Sequence, residues 1–120
     1  MEIINSYKDL IVWQKSIDLV VKIYKLTEDF PKTEIYGLTS QARRCSVSIP
    51  SNIAEGRRRG TKKDFRQFLL IAYSSGAELE TQIEIAKKLN FGNIDCYHEV
   101  DNLLNEIMRM LNKIISSLKS

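Results

Sequence analysis

Between Phe65 and Ala86 the residues Phe65, Leu69, Ala72, Gly76, Leu79, Ile83 and Ala86 step by 4, 3, 4, 3, 4, 3. A seam of small and apolar residues at this spacing runs along one side of an α-helix, whereas a strand needs alternation with period two. Such a helix has one sticky side and must find partners. Ala72 and Gly76 in mid-seam let another helix come close. A second stripe of Phe68, Ile71, Ser75 and Ile85 widens the apolar arc, which suits a helix touching more than one neighbour. Thr61, with Asp64 three residues on, has the pattern of an N-terminal capping box. The spacing therefore predicts a helix from Thr61 to about Asn90.

Three further segments have helical spacing. The first runs from about Tyr7 to Asp29, with Leu10, Trp13, Ile17, Val20 or Val21, and Tyr24 as its expected inner stripe. Ser6 and Asp9 are its expected cap, and Phe30-Pro31 its end, because the residue before proline disfavours helical geometry. The second runs from about Thr33 to Glu55, with Leu38, Ala42, Cys45, Ile49 and Ile53 inward. Pro50 predicts a kink or short break near Val47 to Pro50, with Ser46, Ser48 and Ser51 placed to bond freed carbonyls. Gly56 is the expected left-handed stop. Phe91-Gly92-Asn93 makes the last break. The fourth helix runs from about Asp95 to Leu118, capped by Asp95 or Asn93, with Val100, Leu104, Ile107, Leu111, Ile114 and Leu118 inward and Leu103, Met110 and Ile115 beside them.

Helices of about 22–30 residues span roughly 33–45 Å. Short loops force sequential helices to lie antiparallel, so the expected fold is all-α: one up-down-up-down four-helix bundle over residues 1–120, packed at about +20°. Composition agrees. With 5 Gly and 2 Pro in 120 residues, the chain lacks the turn-formers of a many-stranded β fold. A 43% hydrophobic content is too high for a disordered chain. No apolar run is long enough to span a membrane, and Met1 to Asn5 does not read as the start of a signal peptide. A cytoplasmic location is the resulting expectation, with Cys45 and Cys96 as reduced, small packing residues.

The net charge of +3 hides an asymmetry. From Arg43 to Arg66 eight basic residues (Arg43, Arg44, Arg57, Arg58, Arg59, Lys62, Lys63 and Arg66) face two acidic ones, Glu55 and Asp64, a net of +6. The remaining 96 residues hold ten basic and thirteen acidic groups, a net of −3. Arg57, Arg58, Arg59, Lys62 and Lys63 fall within seven positions, in the expected turn between helices two and three. Their mutual repulsion is relieved by a polyanion, and the N-terminus of helix three also favours anions. A phosphate-contact site and a plain solvated loop both fit this pattern. No aromatic residue is interleaved in the turn, which weighs against base stacking.

Catalytic chemistry is hard to place. His98, beside Glu99, is the lone histidine, and Cys96 two positions away points to another side of the helix. Glu78, Glu80 and Glu84 lack the Glu-x-x-His partners of a di-iron bundle, and phosphate loops and dinucleotide fingerprints are absent. The expectation is no enzyme, no metal and no cofactor. Gln41, Arg43, Arg44, Asn52, Glu55 and Glu78 are expected to form an internal polar network or a subunit contact, with Glu78 or Glu55 meeting Arg43 or Arg44. A less favoured reading has such groups lining a ligand cavity.

Several segments resemble one family closely. They are Tyr7-Lys8-Asp9-Leu10 with Trp13-Gln14-Lys15, Leu38-Thr39-Ser40-Gln41 followed by Arg43-Arg44, Phe68-Leu69-Leu70-Ile71-Ala72 and Glu78-Leu79-Glu80-Thr81-Gln82. The most specific is Ser48-Ile49-Pro50-Ser51-Asn52-Ile53-Ala54-Glu55-Gly56. Together they resemble the four-helix-bundle proteins encoded in 23S ribosomal RNA intervening sequences, over nearly the whole chain. One departure is Ser74-Ser75, where the family commonly has Gly-Ser. The resemblance implies a homo-oligomeric ring, typically a pentamer. It also implies kinship with the accessory protein of diversity-generating retroelements, a basic barrel that binds nucleic acid and a reverse transcriptase.

Residues and resemblance lead to the same expectation: a non-enzymatic oligomer that binds nucleic acid, RNA favoured over DNA, without reading sequence. Arg57, Arg58, Arg59, Lys62, Lys63 and Arg66 are the expected phosphate contacts; Arg43 and Arg44 either join them or serve the internal network, which is favoured for one of the two. Five copies of the basic window would carry +30. The competing expectation is a scaffold ring that docks a partner protein, such as a reverse transcriptase, with incidental charge.

Overall fold

A computed structural model describes residues 6–119. Its four helices are α1 (Ile11–Glu28), α2 (Leu38–Arg59), α3 (Lys62–Lys88) and α4 (Ile94–Ser117), with single 3-10 turns at Tyr7–Asp9 and Lys32–Glu34. Each helix packs against two others in the cyclic order α1, α2, α3, α4, forming the expected all-α bundle, 51 × 23 × 22 Å.

The seam of α3 is as its spacing predicts: Leu69, Ala72, Gly76, Leu79, Ile83 and Ala86 are buried and Phe65 is half-buried. Gly76 lies under Met108 of α4, with which any added Cβ would collide. In α4, Val100, Leu104, Ile107, Leu111 and Ile115 are buried, joined by Tyr97 and Met108. Thr61 caps α3 by accepting the Asp64 amide at 3.1 Å, and Asn93 caps α4 by accepting the Asp95 amide at 2.8 Å.

The start of the chain differs from expectation. Ser6 caps the 3-10 turn, accepting the Lys8 amide at 3.1 Å, and extended Leu10 separates that turn from α1. Gln14 Nε2 donates to the Lys8 carbonyl at 2.9 Å and Tyr7 packs edge-on against Trp13, so the turn is tied to α1. The buried side of α1 is Val12, Ser16, Leu19, Ile23, Leu26 and Thr27; of the expected stripe, Leu10 and Trp13 are half-buried against the core and the later members lie outward. Ile17, Val21 and Tyr24 are 36%, 51% and 42% exposed. Two stripes of α1 have helical spacing, and the true one is broken by hydroxyls. Those hydroxyls are satisfied within the helix: Ser16 Oγ donates to the Val12 carbonyl at 2.9 Å and Thr27 Oγ1 to that of Ile23 at 2.8 Å. Their burial is thereby made tolerable.

Helix α2 begins and ends later than expected. Residues Lys32–Glu34 form the 3-10 turn, and Glu34 Oε1 accepts the Leu38 amide at 3.0 Å at the start of α2. The helix is continuous through Pro50, so there is no break. Ser46 Oγ donates to the Arg43 carbonyl and Ser48 Oγ pairs with Ser75 Oγ, rather than serving the Ser46 carbonyl that Pro50 leaves without its usual donor. Gly56 is a buried helical residue, and the left-handed stop is Gly60, with φ of 86°. A Cβ on Gly56 would stand 2.6 Å from Phe68 Cβ, so glycine there allows close approach of α2 and α3. Only Gly60 and Thr61 separate these two helices, and they form the tightest contact in the bundle.

Candidate nucleic-acid interface

The late end of α2 changes the setting of the basic residues. Arg57, Arg58 and Arg59 occupy the last helical turn and are exposed. Cations there oppose the negative end of the α2 dipole, which stabilises the helix as well as charging the surface. Exposed Lys62 and Lys63 open α3, at the positive end of its own dipole. Half-buried Arg66 follows one turn later, and its Nε donates to the Ile115 carbonyl near the end of α4 at 3.2 Å.

That bond shapes a groove between the start of α3 and the end of α4. It holds about 680 Å³ and is lined by Lys62, Lys63, Arg66, Gln67, Leu118 and Lys119, among others. Lys119 is a cation that charge counting along the chain misses, since it lies 53 positions from Arg66. The antiparallel order is the signal that could have found it, because the end of helix four must meet the start of helix three.

Of the six expected contact residues, Arg59 pairs with Glu55 at 3.2 Å, where both side chains are about half exposed. Such a pair contributes little stability. Among the described residues, no carboxylate forms an ion pair with Arg57, Arg58, Lys62, Lys63 or Arg66. Asp64 lies in the first turn of α3, where a carboxylate favours the helix dipole.

Folding also supplies the aromatic residues that the turn lacks in sequence. The guanidinium carbon of Arg57 lies 5.9 Å from the centre of the Phe65 ring, that of Arg58 5.5 Å from Tyr7, and that of Arg59 4.9 Å from Phe68.

Arg43 and Arg44 do not join this end of the bundle. Fourteen positions of helix separate Arg43 from Arg57, a rise of about 21 Å. Arg43 Nε donates to Thr27 Oγ1 at 2.9 Å, and its guanidinium lies 4.5 Å from the centre of the Tyr24 ring, tying α2 to α1. Arg44 is exposed. The +6 window of the sequence is therefore two groups in space.

The expected internal network does not form within one chain. Gln41, Arg44, Glu55 and Glu78 are exposed, and neither Glu78 nor Glu55 meets Arg43 or Arg44. The spacing did put Gln41 and Arg44 on one side of α2, but that side is the outer one. The polar contacts between α2 and α3 use smaller groups. Ser48 Oγ and Ser75 Oγ are 2.8 Å apart, and Asn52 Nδ2 donates to Ser48 Oγ at 2.9 Å. Buried Gln82 places Nε2 3.4 Å from Cys45 Sγ, and its Oε1 has no protein partner. Burial pushes the Cys45 thiol pKa up, which disfavours the reactive thiolate.

The opposite end of the bundle has a cavity of about 370 Å³ beside the α3–α4 connection, lined by Lys87, Phe91, Ile94, Tyr97, His98 and Asp101 among others. Tyr97 donates its hydroxyl to the Phe91 carbonyl at 2.6 Å, and Lys87 bridges Asp101 at 2.6 Å and Glu84 at 3.2 Å.

Residues 8–113 match the family of 23S rRNA-intervening sequence proteins. The chain belongs to that family. A similar solved structure is a protein of unknown function from the S23 ribosomal protein family of Bacteroides thetaiotaomicron, with a TM-score of 0.77 and 27% identity. The match covers 88% of this chain and 98% of that one. No curated protein matches. Among the described residues, no helix is long and apolar enough to cross a membrane.

Proposed function

We propose that this member of the family is a non-enzymatic, oligomeric accessory protein that binds nucleic acid through the basic end of its bundle. The observation that carries the reading is the convergence of Arg57, Arg58, Arg59, Lys62, Lys63 and Arg66 on two helix ends joined by two residues, with Lys119 added from just beyond α4. Cations so close together, of which only Arg59 forms an ion pair among the described residues, repel one another. Phosphates neutralise them, and release of the counterions around the polyanion drives binding. RNA is put ahead of DNA in this reading, the family being named for an intervening sequence of 23S rRNA. Contact with phosphates requires no sequence preference.

Oligomerisation is supported by the line of Ile17, Val21 and Tyr24, which leaves apolar side chains of α1 open on the single chain. A closed ring of identical copies, a pentamer in this reading, would cover that line and repeat the basic end around its axis. Repetition multiplies weak phosphate contacts through effective concentration. The same apolar line also favours a second reading, a scaffold that docks a protein partner. The exposed Gln41, Arg44, Glu55 and Glu78 are available to a contact between subunits in either case.

Replacing Arg57, Arg58 and Arg59 together by Ala should weaken RNA binding and flatten its dependence on salt, measured by fluorescence anisotropy over a salt series. Unchanged affinity and slope, with assembly intact, would remove this end of the bundle from the interface. Recovery of a bound protein that survives nuclease treatment would support the scaffold reading instead.

A further inference from the structure

The three exposed arginines that end α2 each have a guanidinium near an aromatic ring. Arg57 stands over Phe65 at 5.9 Å, Arg58 over Tyr7 at 5.5 Å and Arg59 over Phe68 at 4.9 Å. All three distances fall within the ~6 Å reach of cation–π attraction. The rings come from two other elements, the first 3-10 turn and α3. Gly56 is the reason two of them are in place. Without a Cβ it lets Phe65 and Phe68 press against the last turns of α2, with Phe68 Cβ within 2.6 Å of where a side chain would begin. Arg57 and Arg59 follow Gly56 by one and three positions, and Tyr7 is held to α1 by its edge-on packing on Trp13.

Phosphate binding alone does not need this arrangement. A lysine ammonium on a flexible stem neutralises a phosphate as a point charge, as Lys62 and Lys63 do in the reading above. A guanidinium over a ring is restrained. Arg57, Arg58 and Arg59 are all exposed, so each still offers N–H groups and guanidinium surface to a second partner, Arg59 with one nitrogen given to Glu55 at 3.2 Å. Unpaired bases are such partners, because every base has a π-face and unpaired bases stack on guanidinium planes and aromatic rings. In a duplex those faces are covered by neighbouring base pairs.

We propose that the basic end of the bundle binds single-stranded rather than duplex nucleic acid, with unpaired bases stacking on the ring-backed guanidinium groups of Arg57, Arg58 and Arg59. Lys62 and Lys63 then take the phosphates beside them. This inference rests on the nucleic-acid reading and narrows it to one class of strand. The sign of the preference is diagnostic. A duplex is the denser line of charge, so phosphate contact by itself favours the duplex.

The test compares a labelled single-stranded RNA of mixed sequence with the same strand annealed to its complement, at equal salt, by fluorescence anisotropy. The natural protein should bind the single strand several-fold more tightly. Arg57→Lys, Arg58→Lys and Arg59→Lys together keep every charge but lose the planar group. Affinity for the single strand should then fall about tenfold, the loss of roughly one stacked base, while affinity for the duplex holds. Tyr7→Leu, which alters one ring on the 3-10 turn and no cation, should lower single-strand affinity alone. Equal or tighter binding of the duplex by the natural protein would overturn the inference. So would a lysine variant that holds the single strand undiminished. Both outcomes leave the phosphate-binding reading standing, whereas a protein that binds neither RNA removes both.

Discussion

Tyr97 shows how one buried side chain ties the fold to pH. It is nearly inaccessible, its hydroxyl donates to the Phe91 carbonyl, and burial pushes its pKa up to about 12. Unfolded tyrosine titrates near ~10. Between these values the unfolded chain gives up the proton while the folded chain keeps it. Stability is therefore whole below about pH 10 and falls as pH rises through 12, by about 3 kcal/mol at most. The Lys87 amine, raised by its hydrogen bond to Asp101, loses its contribution in the same alkaline direction. Tyr97→Phe should cost about 1 kcal/mol at neutral pH and remove the tyrosine's share of the alkaline loss. Urea midpoints of both proteins across that range check this. Equal alkaline slopes would assign the loss to other groups. None of this is legible along the chain, where Tyr97 is one half-polar residue in the first turn of a helix.

At the scale of elements, the informative failures are α1 and the end of α2. Periodicity finds both helices, but a helix with two apolar stripes does not announce which one is inner. Ser16 and Thr27 sit in the true core line because their hydroxyls return to backbone carbonyls within α1, and bonds of that kind leave no trace in residue type. Gly56 and Gly60 present the opposite ambiguity: two glycines four apart, either able to stop a helix. The close approach of Phe68 assigns packing to Gly56, and a left-handed φ assigns the stop to Gly60. Gly56→Ala should therefore destabilise the protein by about 1–2 kcal/mol, since overpacking outweighs alanine's better helix propensity. The obstacle is a Cβ anchored to the α3 backbone, which cannot swing aside. Urea denaturation measures the change, and a stabilised variant would mean that α3 shifts without cost.

For the whole molecule, charge and apolar surface are divided between regions. The basic groups of α2 and α3 and Lys119 beyond α4 gather at one end because antiparallel helices bring chain-distant termini together. The open apolar line of Ile17, Val21 and Tyr24 runs along the flank of α1. If that line carries self-assembly, Val21→Lys combined with Ile17→Gln should reduce the mass seen by multi-angle light scattering toward that of one chain. The helical content seen by circular dichroism should not change, since neither residue belongs to the buried core. An unchanged mass would place the subunit contact elsewhere on the surface.

The sequence by itself determined four helices, their order, the inner seams of α3 and α4, and the family. These follow from spacing and short connections, which act between residues near one another in the chain. Only the tertiary structure decided which stripe of α1 faces inward and which glycine ends α2. It also separated Arg43 from the basic end, brought Lys119 to it, and set Tyr7, Phe65 and Phe68 beside three arginines. Each of those outcomes depends on distance or backbone angle between elements, and a residue's type carries no record of the neighbour that folding will bring.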